Sequence, residues 1–130
     1  MTVVLLRHAS AGDRDRWEAD DRLRPLDKKG RRQAEALRHA LHARGVTRAL
    51  SSPYVRCTQT VAPLGLAVEP DERLAEGADP DDTRALLLQA DGAVACTHGD
   101  VIENIVGLSI KKGAAVVLDG LDVVERIDAP

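Results

Sequence analysis

Thr2-Val3-Val4-Leu5-Leu6 is a continuously apolar, partly β-branched run that stops at Arg7-His8. Such a run predicts a strand buried on both faces, as in a parallel sheet. From Ala9 to Arg24 the chain is polar and aperiodic and reads as a loop, with Trp17 as its one large anchor. A helix follows. Asp27 caps it, Ala34, Leu37 and Leu41 recur at helical spacing, Arg31, Arg38 and Arg44 fall among the polar positions, and Gly45 ends it. Val46 to Ser51 reads as a second strand. Ser52-Pro53 predicts an N-cap followed by proline at the first helical position, with Val55, Thr58 and Val61 near one face of the helix. Pro63 ends or kinks that helix.

Leu66-Ala67-Val68 is a third short strand or extended segment. Asp79-Pro80-Asp81-Asp82 supplies a cap, a proline at the first helical position and carboxylates at the positive end of the helix dipole. Leu86, Leu87 and Ala90 form the buried side of this third helix. Gly92 to Thr97 predicts a fourth strand, with His98 at its end. Asp100 and Glu103 read as a capping-box-like pair, so a helix begins directly after His98-Gly99. Ala114–Leu118 and Val123–Ile127 predict two last strands, with Gly120 in the short connection of a hairpin. Four strand–helix alternations followed by two strands predict one domain over residues 1–130, an α/β three-layer sandwich around a mostly parallel sheet.

Composition narrows the function. The 130 residues are 44% apolar and 30% charged, enough for a core of ordinary size. There is no Phe, one Trp and one Tyr, too few aromatics for a stacking platform on single-stranded nucleic acid. A formal net charge of −3 leaves no basic footprint for a nucleic-acid polymer. Any anion site must therefore be built locally. Cys57 and Cys96 lie far apart without CxxC spacing and read as reduced, half-buried thiols. With no basic segment leading into an apolar stretch and no apolar run of spanning length, the expectation is a cytoplasmic protein without membrane association.

The chemistry gathers at predicted strand ends. In open α/β sheets, ligands sit beyond the carboxyl ends of the strands. The first strand ends in Arg7-His8, the second in Ser51-Ser52 with Arg56 one turn into the next helix, and the fourth in His98 before a helix N-terminus. If these strands are parallel, two histidines, two arginines and two helix N-termini share one pocket, and the arginines and N-termini favour an anion. Arginine forks match phosphoryl oxygens, and a histidine kept neutral beside them has a ring nitrogen free to attack phosphorus. The sequence holds no HxH, HExxH or DxDxD cluster, so no metal and no cofactor is expected.

LLRHA, SSPYVRCTQT, ERLAEG and CTHGD, in this order and spacing, resemble the histidine phosphatase superfamily, the phosphoglycerate mutase-like fold. Within it, the short length and Arg24-Pro25-Leu26-Asp27 with Gly30, Gln33 and Ala34 resemble SixA-type phosphohistidine phosphatases. Asp20 to Ala36 also resembles the phosphatase domain fused to Nudix domains in actinobacterial nucleotide-pool hydrolases. The resemblance implies that His8 is the nucleophile that becomes phosphohistidine. It implies that Arg7 and Arg56 clamp the phosphate, that His98 binds a phosphoryl oxygen, and that Glu76, in Leu74-Ala75-Glu76, is the candidate general acid. Ser10 and Arg14 are further candidates for phosphate contact, Arg14 standing near a position where many members carry Asn. Ala9 replaces the commoner glycine after the histidine, where its methyl group could narrow the approach to His8.

Three readings follow. The first is a phosphatase of protein phosphohistidine, since the chain lacks the long insertions that shape a small-molecule lid. The second keeps the chemistry and acts on nucleotides or other small phosphate esters. The third is a non-catalytic module that binds a phosphorylated partner. His39 and His42 are expected to face solvent. Lys28, Lys29, Arg31 and Arg32 read as a solvated helix start, or else as a dock for an acidic or phosphorylated partner.

Overall fold

The computed structural model describes residues 2–130. Its elements are β1 (Thr2–Arg7), α1 (Lys28–Ala43), β2 (Arg48–Ser51), α2 (Val55–Val61), β3 (Val68–Pro70), α3 (Pro80–Leu87), β4 (Ala93–Thr97), α4 (Gly99–Val106), β5 (Ala115–Asp119) and β6 (Asp122–Ile127). Short 3₁₀ turns punctuate the expected loop at Arg14–Arg16 and Asp21–Leu23.

The sheet order is β3-β2-β4-β1-β5-β6. β1, β2, β3 and β4 run parallel, and β5 and β6 add an antiparallel edge. β1, β2 and β4 are central strands, so alternate residues face two cores. Val4 and Leu6 of β1 pack with Leu37 and Leu41 of α1 and Cys57 and Val61 of α2. Val3 and Leu5 pack on the other face with Leu86 and Leu87 of α3 and Ile102 of α4. The uninterrupted apolar run of β1 is thus explained: it has no solvent face. Both cysteines are fully buried, more deeply than their sequence context suggests. His39 and His42 are exposed. No helix among the described residues is long and apolar enough to cross a membrane.

Two expected caps are absent. Ser52 does not cap α2. Tyr54 occupies that position without a side-chain bond, and the Ser52 hydroxyl accepts from the Tyr54 amide at 3.2 Å while also bonding His98. Nor do Asp100 and Glu103 form a capping box. His98 precedes α4, and Asp100 Oδ2 instead accepts from the Gly77 amide at 2.9 Å. At Asp100 a tertiary partner replaces the local bond that the spacing suggests, whereas Ser52 keeps a local bond and adds a tertiary one. Asp27 does cap α1, through the Gly30 amide at 2.7 Å.

Candidate active site

The site is built where β1, β2 and β4 end side by side. β1 pairs with β4, and β4 with β2, so parallel register brings Arg7-His8, Ser51-Ser52 and Thr97-His98 to one edge. A cavity of about 300 Å³ opens there, lined by Arg7, His8, Arg14, Glu76, His98, Gly99, Asp100, Glu103 and Ser109.

His8 is 5% exposed. Its Nδ1 lies 2.8 Å from Ala9 O. A carbonyl only accepts, so Nδ1 carries the proton and Nε2 keeps its lone pair. Burial pushes the His8 pKa down to about 3, against the opposing pull of the Ala9 carbonyl, and His98, Arg56 and Arg7 push it lower. The imidazole is therefore neutral at physiological pH with one free ring nitrogen, the state a nucleophile requires.

Arg7 Nη1 donates to Ile110 O at 2.6 Å, while its Nε is buried without a partner. Gly99 leaves room beside it: a Cβ there would stand 2.9 Å from Arg7 Cζ and displace the guanidinium. The Thr-His-Gly pattern thus places a histidine and makes room for an arginine.

Arg56 is wholly buried. It donates to Asp21 O at 2.8 Å, Asp21 Oδ2 at 3.0 Å and Glu76 Oε2 at 3.0 Å, and stacks 4.8 Å over the Tyr54 ring. Its Nε, like that of Arg7, has no partner. Arg56 does not line the cavity wall. It lies behind Glu76, close enough that its charge depresses the His8 pKa. Asp21, which sequence reasoning passed over, is its main anchor. No local pattern marks which carboxylate of that loop meets an arginine 35 residues away.

His98 is 3% exposed. Its ring meets His8 edge-on at 5.4 Å between centroids and Tyr54 at 4.6 Å. Nε2 is 2.9 Å from Ser52 Oγ and 3.6 Å from Cys57 Sγ. Nδ1 is buried without a hydrogen bond, 4.0 Å from Glu76 Oε2.

Glu76 reaches the cavity. Its side chain is 30% exposed and pairs with Arg56 and with Arg14, whose Nη2 is 3.2 Å from Oε2. Arg14 is 57% exposed and closes the rim, bridging Glu76 and Asp21. Ser10 is not brought to the cavity: its hydroxyl donates to Asp27 Oδ2 at 2.8 Å. Ser10, Asp27, Gly30 and Gln33 instead form a brace under the loop that follows His8. Gln33 Oε1 accepts from the Ser10 amide at 2.9 Å, and Asp27 Oδ2 from the Gly12 amide at 3.1 Å. A Cβ on Gly30 would stand 1.9 Å from Ser10 O, so only glycine lets the loop lie so close. The brace seats Ala9 and Ala11 in a small apolar cluster with Leu26 and Ala34. Ala9 has no positive φ, so its methyl group costs no backbone strain.

The rest of SSPYVRCTQT is accounted for by the same neighbourhood. Thr60 Oγ1 donates to Arg56 O at 2.7 Å and accepts from the Ala9 amide at 3.0 Å. Gln59 Oε1 accepts from the Leu26 amide at 2.8 Å. One helix therefore ties the loop of β1 to the arginine behind the cavity.

An α/β sheet that gathers a neutral histidine, the half-buried Arg7, the buried Arg56 and a second histidine at its parallel strand ends is built to receive an anion. The chain belongs to the histidine phosphatase superfamily (branch 1), whose family model matches residues 3–79. It is 42% identical over 118 residues to the 8-oxo-(d)GTP phosphatase of Mycolicibacterium smegmatis, a match covering 81% of this chain and 36% of that protein. The chain thus spans about a third of that relative's length. Its fold is that of the protein histidine phosphatase SixA solved with tungstate, at a TM-score of 0.80 and 21% identity, covering 98% of this chain and 97% of that one. A mycobacterial glucosyl-3-phosphoglycerate phosphatase solved with VO3 aligns at a TM-score of 0.69 and 16% identity, over 91% of this chain and 90% of that one.

Proposed function

We propose that this phosphatase acts through a phosphohistidine on His8 and hydrolyses the phosphate ester of a nucleotide or similarly small molecule. One observation carries the chemical part. Arg7 Nε and Arg56 Nε are buried donors without partners and His98 Nδ1 is a buried ring nitrogen without one, grouped around a histidine with a free Nε2. Unsatisfied buried donors each cost about 1–3 kcal/mol, and phosphoryl oxygens are the acceptors that would satisfy them.

The steps follow from this arrangement. His8 Nε2 attacks phosphorus and the bond to the leaving oxygen breaks. Glu76, the carboxylate that Arg56 and Arg14 hold, relays to that oxygen the proton that a phosphate monoanion carries in. Water then attacks the phosphorus of phosphohistidine, the P–N bond breaks, and Glu76 takes the water's proton. Phosphate departs and Nε2 regains its lone pair. Arg7 and His98 hold the equatorial oxygens, with Arg14 at the rim and the Arg56 charge behind Glu76. Such charge neutralisation and positioning is most of what phosphoryl transfer asks of a protein.

The relative with 42% identity supports the nucleotide class of substrate. The phosphohistidine reading keeps one supporting feature, the resemblance of Arg24-Pro25-Leu26-Asp27 with Gly30, Gln33 and Ala34 to SixA-type enzymes. Turnover of purified protein on nucleoside di- and triphosphates, including oxidised guanine nucleotides, is compared with turnover on a phosphohistidine peptide. Faster release of phosphate from the nucleotides is the expected result; the reverse ratio favours the SixA-like reading. Turnover quenched with alkali or detergent should trap an acid-labile, base-stable phosphoenzyme. Phosphate binding without that species would make the chain a binding module instead.

A further inference from the structure

Ser52 is fully buried at the end of β2, and the resemblance that assigns the other site residues gives it no role. Its hydroxyl oxygen accepts from the Tyr54 amide at 3.2 Å and lies 2.9 Å from His98 Nε2. A hydroxyl has one proton to give. Among the described residues, His98 Nε2 is the nitrogen or oxygen placed to take it, and the Cys57 sulfur, a weaker acceptor, is its one competitor. Cys57 Sγ, 3.6 Å from the same nitrogen, has Thr97 O at 3.7 Å as acceptor for its own proton. Nε2 is therefore the acceptor end of the imidazole, and the ring proton sits on Nδ1. That atom is buried, makes no hydrogen bond, and belongs to the side of the ring nearer Glu76.

We propose that Ser52 is a positioning residue that locks His98 in the Nδ1–H tautomer, so that a neutral histidine presents a donor, rather than a lone pair, to the phosphoryl oxygen. With the opposite tautomer, Nδ1 would offer a lone pair to an anion and repel it. Ser52 acts through His98 and has no contact with substrate. The catalytic consequence rests on the phosphatase reading above, whereas the tautomer is a property of the protein alone.

The test is ¹⁵N NMR of the histidine ring nitrogens in the free wild-type protein, with and without inorganic phosphate, followed by variants. The wild type should show His98 protonated on Nδ1, with that proton shifting when phosphate is added. Ser52→Ala should populate the Nε2–H form, weaken phosphate binding, and lower kcat roughly 10–100-fold, the usual scale for losing the partner that orients a functional histidine. Ser52→Thr, which keeps the hydroxyl, should restore tautomer and rate together. Cys57→Ala should leave the tautomer unchanged. The inference is overturned if wild-type His98 carries its proton on Nε2, or if Ser52→Ala folds and keeps the Nδ1–H form. An Nδ1–H tautomer in a protein that turns over no phosphate ester would instead overturn the phosphatase reading and leave the tautomer assignment standing.

Discussion

The carboxyl ends of the central strands contrast sharply with the β5–β6 hairpin at one edge of the sheet. Where the parallel strands β1, β2 and β4 finish, polar side chains are sealed from water: His8, Ser51, Ser52, Arg56, Thr97 and His98 are all buried. In the hairpin, β6 is exposed along nearly its whole length and β5 is buried, an apolar strand covered by a solvated one. The hairpin closes an edge and seats Arg44 of the α1 end against Glu125. Burying polar groups costs free energy unless each finds a partner. The strand-end cluster keeps three orphan nitrogens even so. The hairpin follows folding rules alone, whereas the strand ends depart from them where an anion would repair the deficit.

Substitutions break this comparison in a graded way. The largest effect belongs to His8→Ala, which should lower kcat by roughly 10³–10⁶ and abolish the phosphoenzyme, while leaving the fold intact by circular dichroism. Arg56→Ala comes next. Removing a buried cation whose partners Asp21 and Glu76 remain should cost about 3 kcal/mol in urea unfolding, as well as activity. If Arg56→Ala is silent in stability, its ion pairs are not structural.

The third effect is on pH. His8 has its folded pKa pushed down to about 3 by burial, below the usual 6.5. Between those values the unfolded chain binds a proton that the folded chain refuses. Stability is thus fully present above about pH 6.5 and falls as pH drops toward 3, by up to about 1.4 kcal/mol per pH unit. His8→Asn should flatten that slope in unfolding measured from pH 7 to pH 4. A smaller effect is predicted for Gly30→Ala. Helix propensity favours alanine by about 1 kcal/mol, but the Cβ collides with Ser10 O. Net destabilisation and a loss in kcat are expected, because the loop carrying His8 must move. Smallest of all, Arg44→Ala in the hairpin contact should cost under about 1 kcal/mol and leave kcat unchanged.

Much of this molecule is legible in one dimension. Alternation of apolar runs and amphipathic spacing identifies all six strands and four helices, because burial on both faces of β1 and β4 leaves a continuous signal. Boundaries shift by a few residues, as with β2 beginning at Arg48 and β3 at Val68. Parallel register then implies that residues ending neighbouring strands must meet, which is why Arg7, His8 and His98 were foreseeable as one site.

What required the tertiary structure is the use each polar group makes of its partners. Ser52 and Asp100 sit at positions where a cap is chemically available, yet each bonds to a distant residue. Ser10 lies two residues from His8 and faces Asp27 instead of the cavity. Arg56 lies behind Glu76, and Asp21 anchors it. Local spacing sets which atoms can reach a helix end or a strand end. Competition among all reachable partners, settled by burial and by the desolvation each choice avoids, decides which bond forms, and that competition runs between residues far apart in the chain.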